Sequence, residues 1–113
     1  MSDGARELLA KKCKPCAGGV APLAAAEIER LLQQLEGWAC RDGTISKTFR
    51  LPDYAQTMAF VNAIAWISHR EDHHPDVHVG YNTCRVDYRT HAIDGISEND
   101  FICAAKVDAL FTL

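Results

Sequence analysis

The chain reads as an α+β domain of two layers: a four-stranded antiparallel sheet with three helices on one face, in the order α-β-β-α-β-β-α. Three observations predict this. Apolar residues recur at helical spacing in three separate stretches, and two pairs of short runs between them alternate with period two. The turns inside each pair are too short for a parallel crossover, so the strands must run antiparallel.

Residues 1–22 hold Lys11-Lys12-Cys13-Lys14-Pro15-Cys16, then Gly18-Gly19 and Pro22. This punctuation has no amphipathic period and predicts an irregular N-terminal arm ahead of a single domain over 23–113. From Ala24 onward Ile28, Leu31, Leu32 and Leu35 follow the i, i+3, i+4, i+7 rule, with Glu27, Arg30, Gln33 and Gln34 turned outward. That is the first helix, which Gly37 stops. Two extended runs flank Arg41-Asp42-Gly43, and Asp-Gly is a hairpin turn because both residues tolerate positive φ. In the second run Ile45, Phe49 and Leu51 share a face opposite Thr44, Ser46, Thr48 and Arg50; Lys47 interrupts the apolar face and suggests an edge.

Pro52-Asp53 opens the second helix, with Asp53 as N-cap and Gln56 at the capping-box spacing. Phe60, Val61, Ile64 and Ile67 form its apolar stripe, and Pro75 forbids its continuation. Val77, Val79 and Tyr81 alternate with His78 and Gly80 on a third strand. After a turn at Asn82-Thr83, Val86 and Tyr88 alternate with Arg85, Asp87 and Arg89 on a fourth. Ser97 with Asp100, and Ile96 with Phe101, match a capping box and a hydrophobic staple. They start the last helix, whose apolar face is Cys103, Ala104, Val107, Leu110 and Phe111. Sheet edges need protection, and pairing between copies of the chain supplies it, so a homodimer or homotetramer through sheet edges is expected.

Composition narrows the function. The 113 residues are 48% hydrophobic and 24% charged, which excludes wholesale disorder. No apolar run approaches the roughly 20 residues that span a bilayer. Met1–Arg6 shows no basic region followed by an apolar stretch, so a soluble cytoplasmic domain without membrane attachment is the expectation. Twelve Lys and Arg against 15 Asp and Glu give a net charge of −3, the wrong sign for displacing counterions from nucleic acid, so no direct nucleic-acid binding is expected. Five cysteines without a secretion signal read as thiols, not as a disulfide framework.

All five histidines fall between residues 69 and 91. His78 alternates with Val77 and Val79 and faces away from their side of the sheet, a structural position. The adjacent His73-His74 sit at a rigid corner between a helix end and Pro75, so the two rings point in different directions. The helix C-terminus, Glu71 and Asp72 all favour the charged ring there. Antiparallel geometry returns the far end of the fourth strand, and with it His91, to the neighbourhood of Pro75. Arg85 and Arg89 on that strand favour a neutral ring at His91. One charged and one neutral imidazole across a cleft make an acid and a base.

These residues resemble a known family. His73-His74-Pro75-Asp76-Val77-His78-Val79-Gly80-Tyr81-Asn82, then Thr90-His91, then Gly95-Ile96-Ser97-Glu98-Asn99-Asp100 look like pterin-4a-carbinolamine dehydratases. Leu35-Glu36-Gly37-Trp38 and the final helix extend the likeness over residues 24–110, and the Cys13-Lys14-Pro15-Cys16 arm is similar to that of bacterial members. The resemblance implies a 4a-hydroxytetrahydropterin substrate, dehydrated across N5 and C4a in the recycling of tetrahydrobiopterin after aromatic amino acid hydroxylation. It implies His73, His74 and His91 as catalytic residues, and Pro75, Thr90, Trp38 and Asp100 as substrate-binding ones. It implies no metal, flavin or nicotinamide. Asp100 also reads as a helix cap that orients a histidine, and Trp38 reads equally as core. Where family members often carry a carboxylate, four residues before the first histidine, this chain has His69; Glu71 or Asp72 would have to substitute.

Two other classes compete. His69 and His73 stand at i, i+4, a chelating spacing, and Cys13 with Cys16 is a C-x-x-C pair, so a metal-binding module is one rival. The frame lacks a second such pair, and no apolar strand precedes the cysteines as a thioredoxin-like motif requires. The other rival is a non-catalytic dimerisation partner of a transcription factor, a role that animal relatives suggest.

Overall fold

A computed structural model describes residues 1–15 and 21–111. Four helices and four strands follow the order α1 (Asp3–Ala10), α2 (Ala25–Leu32), β1 (Ala39–Arg41), β2 (Thr44–Arg50), α3 (Tyr54–Glu71), β3 (Asp76–Val79), β4 (Thr83–Tyr88) and α4 (Glu98–Ala109). A short 3₁₀ turn, His91–Ile93, precedes α4. The strands form one antiparallel sheet in the order β1-β2-β4-β3.

The α+β architecture is as expected, with one more helix. Residues 3–10 are not irregular: Ser2 caps α1 by accepting the Ala5 N–H at 3.0 Å, and Ala5 and Leu8 are buried. Eight residues bury too few positions to leave a visible period, and such a helix alone is marginal in water. Packing against α4 supports it, and Lys106 Nζ bonds the Leu9 carbonyl at 2.8 Å near its C-terminus. Beyond α1, residues 11–15 and 21–22 of the described arm are irregular as expected.

The β1–β2 turn is the expected one: Asp42 and Gly43 both have positive φ, 52° and 71°, between the paired Arg41 and Thr44. β2 is nevertheless an inner strand. Lys47 pairs with Val86 of β4, but β1 reaches only as far as Ser46, so Lys47–Arg50 carry no strand on their other side. Lys47 instead bonds the Glu36 carbonyl (2.8 Å) and Asp108 (2.9 Å), which also accepts the Trp38 indole N–H at 3.0 Å.

Ile45 and Phe49 of β2 and Cys84, Val86 and Tyr88 of β4 face the helices and join Phe60 and Ile64 of α3 in one core. α4 departs from a one-faced helix, because Phe101 through Ala105 are all buried. It lies in the middle of the helical layer, touched by α1 and α3. The other face of the sheet carries Thr48, Arg50, Arg85 and His78, all exposed.

Candidate active site

The corner at residues 72–75 is built by the end of α3. Asp72 takes a left-handed conformation (φ 51°), and the N–H groups of Asp72 and His73 both return to the Ser68 carbonyl. The helix therefore stops before Pro75 can object, and the backbone swings His73 inward while His74 stays exposed.

His73 is held on two sides. Its ring stacks on Tyr88, with centroids 5.9 Å apart and planes within 6°. Its Nε2 lies 2.6 Å from Oδ1 of Asp100, a fully buried side chain. The other oxygen of Asp100 accepts the Thr90 hydroxyl (2.9 Å) and the Ser97 N–H (3.0 Å). The Ser97 hydroxyl donates in turn to Thr90 Oγ1 at 2.7 Å. Asp100 thus caps α4 and orients the histidine. An acceptor carboxylate at Nε2 favours the ring form that carries a proton on that nitrogen.

β4 ends at Tyr88, and Thr90 bridges to Gly95 across a tight loop. The intervening 3₁₀ turn carries His91 to the same side as the α3 corner. His73, His74 and His91 line one hollow of about 520 Å³, inside the usual size of small-molecule sites, about 300–1,000 Å³. Thr90, Glu71, Asp72 and Arg89 share it, and Cys13, Lys14 and Pro15 of the arm form a further wall. A larger hollow, about 750 Å³, lies beside Lys47 and Asp108, which pair with one another, and no histidine or cysteine lines it.

Not every expected residue converges. Trp38 does not line the histidine hollow; it is buried in the core between Phe49 and Tyr88 because its indole N–H is satisfied by Asp108. Pro75 is not part of the wall either, and Asp100 lies behind it. Arg85 does not flank His91. It bonds Asp87 on the open face of the sheet, where His78 meets the same carboxylate at 3.1 Å. Arg89 reaches the hollow and pairs with Asp94. The chelating pair dissolves too: His69 sits against Trp66 on α3, while His73 lies past the helix end. Cys16 falls outside the described residues. Among the described residues no three His, Cys, Asp or Glu side chains gather to hold a metal ion, and no helix is long and apolar enough to cross a membrane.

Sequence reasoning missed the roles of Tyr88, Asn99 and the arm. Tyr88 reads as a core strand residue, and nothing local shows that its ring is the floor under His73.

The family model for pterin 4 alpha carbinolamine dehydratase matches residues 21–110. The chain belongs to this dehydratase family. A relative from Nitrosomonas europaea, provisionally named pterin-4-alpha-carbinolamine dehydratase, is 68% identical over 106 residues, covering 93% of this chain and 94% of that one. A relative from Dechloromonas aromatica with the same provisional name is 50% identical over 103 residues, covering 91% and 92%. A crystal structure described as a transcriptional coactivator/pterin dehydratase from Brucella melitensis superposes with a TM-score of 0.76 at 30% identity, covering 79% of this chain and 97% of that one. A pterin dehydratase-like protein described as a RuBisCO assembly factor in the alpha-carboxysome gives 0.55 at 28% identity, covering 65% and 84%. Membership and the relatives' names support a pterin carbinolamine dehydratase. In this member of the dehydratase family Glu71 and Asp72 line the hollow, whereas His69 does not.

Proposed function

We propose that the protein eliminates water from a 4a-hydroxytetrahydropterin by histidine acid–base catalysis, as a cytoplasmic step in tetrahydrobiopterin recycling. The observation that carries the reading is the convergence of His73, His74 and His91 on one hollow, with the first of them oriented by Asp100.

The reaction needs two proton movements. An acid protonates the C4a hydroxyl, the C4a–O bond breaks and water leaves. The N5 electron pair closes the C4a=N5 bond, and the N5 proton passes to a base. The product is a quinonoid dihydropterin. We assign the acid to the His73/His74 corner and the base to His91. The Asp100 carboxylate, 2.6 Å from Nε2, orients the His73 ring for that transfer. Each positioned transfer contributes on the order of 10² to 10⁴ in rate. Thr90 lines the same hollow, and in this reading it touches the substrate while its buried hydroxyl stays bonded to Asp100.

The test is a spectroscopic dehydration assay on freshly generated 4a-hydroxytetrahydropterin with His73→Ala, His74→Ala and His91→Ala. The expected result is a loss of turnover in each. Parental rates in all three would end the acid–base reading, and no acceleration by the parent protein would end the dehydratase reading.

A further inference from the structure

The proton chemistry makes no use of a pair of thiols directly behind the hollow. Cys13 Sγ lies 3.5 Å from Cys103 Sγ, across 90 positions of chain. Cys103 is fully buried on α4, whereas Cys13 is half-buried in the irregular arm. Polar contacts fasten the arm beside it, among them Cys13 Sγ to the Asn99 carbonyl at 3.6 Å and Lys11 to Glu98 at 3.1 Å. The Cys13 N–H donates to Glu71 (2.8 Å), the Lys14 N–H donates to Asn99 Oδ1 (3.0 Å), and Asn99 Nδ2 donates to the Lys14 carbonyl (2.6 Å). Cys13, Lys14 and Pro15 are at the same time a wall of the histidine hollow. The sulfur contact and the hollow therefore share one short segment.

We propose that Cys13 and Cys103 are a redox modification site: hydroperoxides close them into an intrachain disulfide that ties the arm to α4 and slows turnover in the hollow. A disulfide needs sulfurs about 2.05 Å apart, so the pair must close by roughly 1.5 Å. The irregular arm carries that movement, since Cys103 is packed within a helix.

The chemistry balances. Cys13, the sulfur nearer solvent, attacks a hydroperoxide; the S–O bond forms, the O–O bond breaks, and the alcohol leaves with the thiol proton. Cys103 then attacks the sulfenic sulfur of Cys13. The S–S bond forms, the S–O bond breaks, and hydroxide leaves as water with the Cys103 proton. Two thiols are oxidised and one hydroperoxide is reduced to an alcohol and water. The order of attack follows from the surroundings: the contact with Cys13 and burial push the Cys103 thiol far above its ordinary range, so it keeps its proton until the second step. A dithiol reverses the bond by exchange.

Closing a ring of this length constrains the unfolded chain, and the melting midpoint should rise by more than about 5 °C. Because Lys14 and Pro15 move with Cys13, turnover should fall by about tenfold, in keeping with the sensitivity of such sites to displacements of about 1 Å. This last effect rests on the dehydratase reading; the linkage does not.

The experiment treats the full chain with hydrogen peroxide, then with dithiothreitol, and maps non-reduced peptides by mass spectrometry. A Cys13–Cys103 peptide, a higher melting midpoint and reduced turnover, all undone by dithiothreitol, are expected. The linkage should persist in Cys16→Ser and vanish in Cys13→Ser and in Cys103→Ala. A Cys13–Cys16 peptide, an interchain linkage, both thiols left free, or parental turnover in the linked protein would each overturn the proposal. If the reduced parent shows no dehydratase activity, only that reading fails, and the peptide map still decides the linkage.

Discussion

Nε2 of His73 sits 2.6 Å from Oδ1 of Asp100, although 27 positions separate them and one closes α3 while the other caps α4. The same carboxylate finishes a helix and fixes an imidazole. Asp100→Asn keeps the shape of the cap but offers His73 a neutral amide. Turnover should fall by about tenfold to a hundredfold with KM little changed, a part of the 10² to 10⁴ that a positioned proton transfer supplies. Steady-state kinetics separates kcat from KM; a rise in KM alone would place Asp100 in binding.

His74 and His91 are exposed and lack the burial that makes a side chain structural. Their alanine variants should melt within about 0.5 kcal/mol of the parent, as surface changes do. Their turnover should nevertheless drop by about 10² or more. Urea titration beside the dehydration assay checks this, and a matched loss of stability and activity would count against a chemical role.

The Tyr88 hydroxyl is buried with no nitrogen or oxygen partner, facing the Cys103 thiol, and burial pushes its pKa above the ordinary 10.0. The folded state holds this proton after the unfolded chain has released it. Its contribution is therefore fully present below about pH 10 and is lost as pH rises beyond, by about 1.4 kcal/mol per pH unit for one proton. Tyr88→Phe keeps the ring under His73 and removes the group that titrates. At neutral pH it should match the parent within about 1 kcal/mol. Denaturant midpoints measured up to about pH 11 should fall less steeply in Tyr88→Phe than in the parent, the slope being set by this linkage.

Asp108 joins the Trp38 indole and the Lys47 ammonium, both partly or wholly withdrawn from water. Asp108→Ala leaves an indole N–H unpaired and the Lys47 ammonium with only the Glu36 carbonyl, and should cost about 1–3 kcal/mol. Because Trp38 does not line the histidine hollow, Trp38→Phe should lower the melting midpoint while leaving KM for the pterin within about twofold, since it removes core packing. A larger change in KM would bring the indole back into the binding site.

Periodicity and punctuation in the chain were enough for the sheet, its hairpins and three of the helices. They work because the alternation at Ile45–Phe49 and Val86–Tyr88 and the Asp42-Gly43 turn are set by neighbours a few residues away. The meeting of His73, His74 and His91 was also legible, since antiparallel return is a topological consequence of a short turn. Local pattern was silent on α1, whose eight residues hold only by leaning on α4. It was silent on the place of Trp38, on the ring of Tyr88 beneath His73, and on the contact between Cys13 and Cys103. Those depend on which surfaces meet across long stretches of chain, and packing of distant surfaces leaves no spacing to read.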